Sequence, residues 1–346
     1  MGIVGGLDIH RKQITFDYVD TVTGQVSCGQ IGRADRARLR MWLRKNVADH
    51  EDVAFAVEAC TGWRYVVEEL RAANVEAHLG EPAETAAARG RKRRAKTDRS
   101  DSRLLRELLE QDRLPECWIP PAHVLECRAL LQTYMDLRVE HTAWVQRIHA
   151  VCFHQGAVAV DRGGVSTPEA RARWEQTAEQ QLSPAGQYQV AVAARVLDAL
   201  ETELEALRVR LVTAAKHLHG ADVLRQQVYG VGPIGGLAFT CWLGGANRFS
   251  SARKAVRFCG LDITVYSSAG KRAPGRLSRQ GPPILRWVAY EAGITHARAS
   301  APDHAYYAKV KDRIDGKRAA LAEARKVVRV VSHVLSDLGD DALNWG

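Results

Sequence analysis

The stretch that decides the fold of the first part of the chain is Ile-Val-Gly-Gly-Leu-Asp-Ile-His, residues 3–10, followed by Ile-Thr-Phe-Asp-Tyr-Val, residues 14–19. The first segment is an apolar run rich in β-branched side chains, and the second alternates Ile, Phe, Tyr and Val in the manner of a paired strand. We expect the two segments to form an antiparallel hairpin of a sheet. One acid, Asp8, lies at the end of the first predicted strand.

Outward from this hairpin, strand and helix signals alternate up to about residue 120. Further strands are predicted at 25–31, 53–57 and 75–79, and helices at 34–44 and 62–73. This order predicts an α/β domain over residues 1–120, with a mixed sheet in which the early hairpins are antiparallel and the later crossovers parallel.

The middle of the chain, residues 121–220, carries two long helical patterns. Mostly apolar residues recur at alternating gaps of three and four from Cys127 to Val151, and again from Val190 to Ala214. This spacing is that of an a/d seam, so we expect a coiled coil or a long helical hairpin. The pattern is compatible with packing of the two helices on each other and with packing on a second protomer.

Residues 221–346 are predicted to form a second, mainly helical domain. Its Tyr-Gly-Val-Gly-Pro-Ile-Gly stretch, residues 229–235, matches a dinucleotide-binding fingerprint on paper, but no convincing strand precedes it and no ribose-binding acid follows about 20 residues later. A helix–hairpin–helix-like turn fits better, in which Gly230 and Gly232 expose backbone N–H groups to a DNA phosphate. A purely structural turn between two helices is the alternative.

Four acids lie where an α/β domain can gather them. Asp8 and Glu58 end two predicted strands, and Asp98 and Asp101 lie on one face at the start of a predicted helix. Helix capping accounts for the last two when they are taken alone. Four converging carboxylates repel one another strongly unless divalent cations bind among them, as in the two-metal sites of phosphoryl transfer on nucleic acid. We therefore predict a metal-dependent catalytic site.

The formal charge of +9 is concentrated in two places. Residues 89–96 hold six basic side chains, and residues 248–286 hold nine basic side chains and a single acid. The first block includes Arg91, Lys92, Arg93, Arg94 and Lys96. A basic stretch is often only a solvated face, but two of them beside predicted chemistry favour a nucleic acid as the partner.

A polar loop within the second basic region contains Ser267 and Ser268. Most loop serines have no chemical role. The loop also carries four cationic side chains that could bind a phosphodiester and stabilise its transition-state charge: Lys271, Arg272, Arg276 and Arg279. A serine hydroxyl needs a base or a metal to act as a nucleophile, and the loop has no histidine, so activation would have to come from the carboxylate site.

Other features exclude several classes of protein. The seven cysteines are scattered without a Cys-x-x-Cys pair, which argues against a disulfide framework and a structural zinc site. The longest apolar runs are about half of the roughly 20 residues needed to cross a bilayer, and the first residues lack the plan of a signal peptide. We expect a cytoplasmic protein without a membrane partner.

Taken in order, these motifs resemble a known family. Gly-Leu-Asp-Ile-His (6–10), Val-Glu-Ala-Cys-Thr-Gly (57–62) and Lys-Thr-Asp-Arg-Ser-Asp (96–101) look like the RuvC-like (RNase H-type) domain of the DEDD transposases of bacterial insertion sequences, the IS-one-ten group. Gly-Val-Gly-Pro (230–233), Phe-Cys-Gly-Leu (258–261), Ser-Ser-Ala-Gly-Lys-Arg (267–272) and Gly-Arg-Leu-Ser-Arg-Gln-Gly (275–281) look like the second domain of that group.

The resemblance implies roles for individual residues. Asp8, Glu58, Asp98 and Asp101 would bind Mg²⁺ or Mn²⁺, and Ser268 would be the nucleophile that becomes covalently linked to cleaved DNA, with Ser267 as a competing hydroxyl. It also implies donor and target DNA and a structured guide (bridge) RNA as partners. Dimers or tetramers would form through the coiled-coil region, with active sites shared between protomers, in a cytoplasmic enzyme that associates with the nucleoid.

Two other functions stay open at this point. One is a RuvC-like nuclease that hydrolyses DNA junctions with two metals and water, in which Ser268 has no role. The other is a non-catalytic scaffold that binds RNA or DNA and whose acids only cap helices.

Overall fold

The computed structural model describes residues 2–88, 97–157, 180–264 and 275–346, the positions 167, 169, 171 and 172, and the backbone of 267, 268, 271 and 272. The chain separates into two compact units, Met1–Ile119 and Pro120–Gly346. The first unit ends within one residue of the predicted limit of the α/β domain. No boundary between compact units appears at the predicted residue 220, because the second long helix packs directly on helices that follow it.

Unit 1 is built on a five-stranded sheet with the order β3-β2-β1-β4-β5. The strands are β1 (Ile3–Ile9), β2 (Gln13–Asp20), β3 (Val26–Gly32), β4 (Val53–Glu58) and β5 (Glu76–Gly80). The first three pair antiparallel, whereas β1, β4 and β5 run parallel. The predicted mixed sheet of an α/β domain is confirmed.

Four helices accompany the sheet: α1 (Arg36–Asn46), α2 (Trp63–Ala72), α3 (Pro82–Ala88) and α4 (Asp98–Glu110). Side chains of β1 alternate between the two faces of the sheet. Ile3 and Leu7 belong to the main apolar core, together with Leu39 of α1 and Leu70 of α2. Gly6, on the alternate register, faces the other side, where α4 packs on β1, β2 and β4.

Unit 2 begins with two long helices, α5 (Ala122–His154) and α6 (Pro184–His217), which pack on each other. Ile148 and Cys152 of α5 share a buried cluster with Val190 and Leu197 of α6. The helical hairpin is thus present within one chain, as one of the two predicted arrangements. Coiled-coil geometry and packing on a second protomer stay predictions.

Shorter elements complete unit 2. They are α7 (His219–Gln227), α8 (Pro233–Leu243), α9 (Ala252–Phe258), β6 (Ser267–Ser268), β7 (Lys271–Arg272), α10 (Pro283–Thr295), α11 (His304–Arg313), α12 (Gly316–Leu338) and a terminal 3₁₀ helix (Gly339–Leu343). The apolar stripe of α12 is buried and includes Val327, Val331 and Leu335. Within the described ranges, no helix combines the length and the apolar character that crossing a membrane requires.

The backbone of α4 comes very near the sheet at Gly6 of β1. A Cβ atom at this position would lie 2.2 Å from the carbonyl oxygen of Ser102 and 2.7 Å from the backbone nitrogen of Arg106. Real Cβ atoms do not approach backbone atoms this closely, so any larger residue would push the helix away from the strand. Glycine at position 6 therefore determines how near the first turn of α4 comes to Asp8.

We expect Gly6→Ala to lower the free energy of unfolding by about 1–3 kcal/mol, because α4 must shift to admit the methyl group. Urea denaturation followed by circular dichroism measures the change. The matched control is Gly32→Ala, since a Cβ atom there would have nothing within 4 Å. Equal midpoints for the two variants would contradict the tight packing.

Candidate active site

The parallel pairing of β1 and β4 determines the positions of two of the predicted acids. Leu7 pairs with Val57 in the register of these strands, so the next residues, Asp8 and Glu58, lie side by side at one edge of the sheet. Both residues are partly buried. The sheet therefore brings together two carboxylates that lie 50 positions apart in the sequence, as the strand ends predicted.

The other two acids lie in the first turn of α4. The capping hydrogen bonds of this helix are made by Thr97 and Ser100. The Thr97 hydroxyl accepts from the backbone N–H of Ser100 at 3.2 Å, and the Ser100 hydroxyl accepts from the backbone N–H of Thr97 at 3.1 Å. This reciprocal pair is a capping box. The N-cap is thus Thr97, and Asp98 and Asp101 lie within the first turn, where negative charge also suits the helix dipole.

The electrostatics of Asp8 show that the four acids share one environment. The pKa of Asp8 is raised from 3.8 to about 6, first by burial and then by the negative charges of Asp101, Asp98 and Glu58 in that order, against a smaller opposite effect of His10. Like charges act in this way only when they lie close together. The fold therefore gathers the four predicted acids on the α4 face of the sheet. Asp8, Glu58, Asp98 and Asp101 are called the tetrad below.

The four acids do not form a closed three-ligand group. Within the part of the chain that the structure describes, three His, Cys or acidic ligand atoms lie within 4.8 Å of one another only at His296, Asp303 and Glu323.

Sequence reasoning missed two neighbours of the tetrad. Gln13, at the start of β2, donates from Nε2 to Asp98 Oδ2 at 3.3 Å. Cys60 follows Glu58 by two residues, and burial, then the charges of Glu58 and Asp8, raise the pKa of its thiol. A single polar residue in a strand or a lone cysteine gives no signal by itself, because its partner comes from a distant part of the chain.

A buried ion pair attaches α4 to the sheet. Arg106 Nε donates to Asp17 Oδ1 of β2 at 2.6 Å, and the two side chains are only 8% and 5% exposed. Arg106 also reaches Glu110 Oε2 at 2.9 Å. Because the pair links the middle of α4 to β2, it determines where the first turn of α4, with its two acids, lies above β1.

The predicted nucleophile belongs to unit 2. Ser268 lies in β6 and pairs with Lys271 of β7. Thr264 N donates to the carbonyl of Arg276 at 2.8 Å, and Ile263 forms an antiparallel bridge with Leu277. The described residues of the predicted hairpin-like loop thus pair antiparallel.

The predicted basic contacts are only partly within the described chain. Arg276 and Arg279 are exposed. The side chains of Ser268, Lys271 and Arg272 lie outside the described residues, as do Arg91, Lys92, Arg93, Arg94 and Lys96 of the first basic block.

The glycine-rich turn joins two helices, α7 and α8, so the rejection of a dinucleotide fingerprint agrees with the fold. Gly230 has a φ of +83°. A Cβ atom there would lie 2.4 Å from Thr295 Oγ1 and 2.8 Å from the carbonyl oxygen of Ala292, so this glycine permits close packing on α10. Gly232 has open space where a Cβ would be and is the N-cap of α8. Its proposed phosphate contact stays a prediction.

An α/β unit that gathers four acids from two strand ends and one helix start is typical of metal-dependent enzymes of phosphoryl transfer on nucleic acid. Two family models match this chain: a model of DEDD transposases of the IS110 type, described as transposase, covers residues 5–152, and a model described as transposase IS116/IS110/IS902 family covers residues 223–308. The chain belongs to the IS110 family of DEDD transposases, enzymes that act on DNA and generally use divalent metal ions. No curated protein matches it.

Arg106→Ala is expected to lower the free energy of unfolding by about 3–5 kcal/mol, because it leaves the buried carboxylate of Asp17 without its partner. Arg103→Ala is the matched control on the same helix. Its ion pair with Glu107 is exposed, so its loss costs about 1 kcal/mol or less. Chemical denaturation of both variants measures the difference, and similar losses would show that the buried pair does not anchor α4.

Asp8→Asn should make the metal-free protein more stable at pH 7, by about 1 kcal/mol once solvent screening of this partly exposed group is allowed for. The folded state holds the charged form of Asp8 at a cost, because its pKa is raised to about 6. Stability therefore falls as the pH rises from about 4 to about 6, and the gain from Asn should vanish below this window. Thermal unfolding in EDTA at several pH values measures this.

The control for that experiment is Asp112→Asn, beyond the C-terminal end of α4, which should change stability little. A stability of Asp8→Asn below that of the wild type at pH 7 in EDTA would show that the four charges do not repel one another in the folded state.

Proposed function

We propose that this transposase cleaves and exchanges DNA strands by a metal-assisted attack of Ser268, and that a structured guide RNA selects its DNA. The observation that carries the metal-dependent part is the gathering of Asp98, Asp101 and Glu58 around Asp8, whose pKa they raise. The roles proposed for the serine and the guide RNA are supported by the resemblance of the motifs to the transposase family. The cationic residues around the serine also support its role.

The tetrad would hold Mg²⁺ or Mn²⁺, because carboxylate oxygens are the ligands that these hard cations prefer. The fit is electrostatic as well, since a divalent cation removes the repulsion that disfavours the charged form of Asp8. When bound, the cations would stabilise negative charge on the phosphate and on an attacking oxygen. The residues of the chain itself do the positioning: β1 and β4 hold Asp8 and Glu58, and α4 brings Asp98 and Asp101 over them.

Ser268 would exchange one phosphate ester for another. Its hydroxyl oxygen bonds to the phosphorus, the bond from phosphorus to one deoxyribose oxygen breaks, and the serine proton passes to a base while the released deoxyribose oxygen takes up a proton. The number of phosphodiester bonds does not change, so a second strand end can reverse the step without an external energy source. Lys271, Arg272, Arg276 and Arg279 would neutralise the phosphates on both sides.

Other parts of the chain supply the remaining contacts that we propose. The basic residues 91–94 and 96, next to the first turn of α4, would bind the backbone of DNA or guide RNA. Leu200, Leu204 and Leu207 of the α6 seam are only partly buried by their own chain, which supports pairing with a second protomer. Such an assembly would be a dimer or a tetramer, active on the nucleoid in the cytoplasm.

Ser268→Ala is expected to abolish a covalent protein–DNA adduct that wild-type protein forms with its DNA and guide RNA in Mg²⁺. The adduct is measured as labelled DNA that migrates with the protein in denaturing gels, followed by mass spectrometry of the linked peptide. Ser267→Ala is the matched control, because it removes the neighbouring hydroxyl from the same two-residue strand, and it should keep the adduct. Asp8→Asn should abolish both the adduct and strand cleavage.

Each alternative function predicts a different result. Cleavage by Ser268→Ala that releases free DNA ends would identify a hydrolytic nuclease instead. Nucleic-acid binding without strand cleavage by the wild type, under conditions in which RNA from the cell co-purifies with it, would identify a scaffold. Sequencing that RNA tests the guide, which should contain segments complementary to both donor and target DNA.

A further inference from the structure

A compact group of ligand-type side chains lies in unit 2, apart from the residues of the proposed reaction. His296 follows the end of α10, Asp303 precedes α11, and Glu323 lies in α12. One ligand atom from each lies within 4.8 Å of the others, and His296 Nδ1 is 3.9 Å from Glu323 Oε2. Three helices therefore direct an imidazole and two carboxylates to one point.

The burial of this group is unusual for its chemistry. His296 is 4% exposed and Glu323 is fully buried. Both ring nitrogens of His296 and both carboxylate oxygens of Glu323 are buried without a hydrogen bond, although a lysine ammonium forms a longer ion pair with Glu323 Oε1. Buried polar atoms in native proteins nearly always make hydrogen bonds, so atoms without them on two neighbouring side chains indicate a ligand for which they are arranged.

Asp303 supplies an independent indication. It occupies the N-cap position of α11, where an aspartate normally accepts a hydrogen bond from the backbone of the first turn, but its side chain makes no such bond. Its Oδ1 lies 3.6 Å from the ammonium of Lys326 instead. The carboxylate has thus turned away from its usual capping role and toward the group formed with His296 and Glu323.

Lys326 is the cation that faces this group. Its Nζ lies 3.5 Å from Glu323 Oε1, 3.6 Å from Asp303 Oδ1 and 3.6 Å from the centre of the Tyr306 ring. The Lys326 side chain is 34% exposed, so it can turn toward solvent without leaving a buried charge behind. When both carboxylates are ionised, a single ammonium leaves one negative charge uncompensated, and burial accordingly raises the pKa of Glu323.

We propose that His296, Asp303 and Glu323 bind a transition-metal dication of the Zn²⁺ type, which Lys326 can replace when the metal is absent. One imidazole nitrogen and two carboxylate oxygens suit such an ion, whereas Mg²⁺ prefers oxygen ligands alone. Ligands at about 2.1 Å from a tetrahedral ion lie about 3.4 Å apart, so the observed spacing needs inward movements of roughly 1 Å or less. Burial lowers the pKa of His296, which keeps its imidazole in the neutral form that binds metals.

The site would be structural. The His296 ring packs edge-on against Tyr229 at 5.1 Å, and Gly230 packs on Ala292 and Thr295 of α10. A metal that joins the end of α10 to α11 and α12 would therefore fix the surface on which the glycine-rich turn between α7 and α8 rests. This inference does not depend on the tetrad or on Ser268.

The test is binding of Co²⁺, a coloured substitute for Zn²⁺, to the full-length chain in excess Mg²⁺. We expect one Co²⁺ per chain, with visible absorption bands that Zn²⁺ removes. Glu323→Gln should weaken binding at least tenfold, and Asp303→Asn, whose side chain is partly exposed and makes no cap bond, should do the same without a risk to folding. Lys326→Met should strengthen binding several-fold, because it removes the competing cation.

Two control variants separate this site from other acids. Asp312→Asn changes an exposed acid of α11 and should leave Co²⁺ binding unchanged, and Asp8→Asn should keep the same stoichiometry, which excludes the tetrad as the source. Absence of Co²⁺ binding, or binding that Asp303→Asn and Glu323→Gln leave intact, would overturn the proposal. So would weaker Co²⁺ binding by Lys326→Met, because it would show that the lysine belongs to a closed ion-pair network.

Discussion

The contact of α4 with β1 and β2 is the constraint on which the proposed active site depends. The glycine at position 6 lets the helix backbone approach the strand, and the buried pair of Arg106 and Asp17 fixes its direction. Two of the four acids come from this helix and two from the sheet beneath it. A change in that contact alters the distance between the two halves of the tetrad, because one half lies on α4 and the other on the sheet.

Repulsion among the four carboxylates favours their separation, whereas the contacts of α4 with the sheet hold them together. The three neighbouring acids disfavour the charged form of Asp8, while the ion pair and the apolar side chains of α4, such as Leu105 and Leu108, hold the helix in place. The site is thus kept together by residues that take no part in the chemistry. This division between supporting and reacting groups is common in enzymes, whose reactive sites are strained relative to their scaffolds.

Much of unit 1 could be predicted from local sequence. Apolar, β-rich runs and, at residues 14–19, period-two alternation indicated the strands, and the position of Asp8 and Glu58 at two strand ends predicted that they would meet. The first helix begins at Arg36, two residues later than expected, because Asp35 caps it by accepting from Arg38 at 2.9 Å. The pairing of Asp17 with Arg106 was missed, since the two residues are 89 positions apart and each looks like an ordinary charged residue of its own element.

The group formed by His296, Asp303 and Glu323 could not be predicted for a related reason. Glu323 lies in a helix that is rich in charged residues, and only tertiary packing shows that its position faces the core. The expectation of no structural zinc site considered cysteine spacing alone, whereas the ligands proposed for unit 2 come from three separate helices. Sequence spacing reveals a metal site when its ligands share one motif, and fails when the fold assembles them.

Because the Arg106–Asp17 pair is buried, ionic strength should affect DNA binding and the packing of α4 to different extents. Dissolved ions at 0.1 M largely screen attraction between exposed charges more than about 10 Å apart, but they affect much less a pair that is less than a tenth exposed. Concentrated salt should therefore weaken DNA binding long before it disturbs the packing of α4 on the sheet. Inactivation by salt should therefore leave the fold intact and be reversed by dilution.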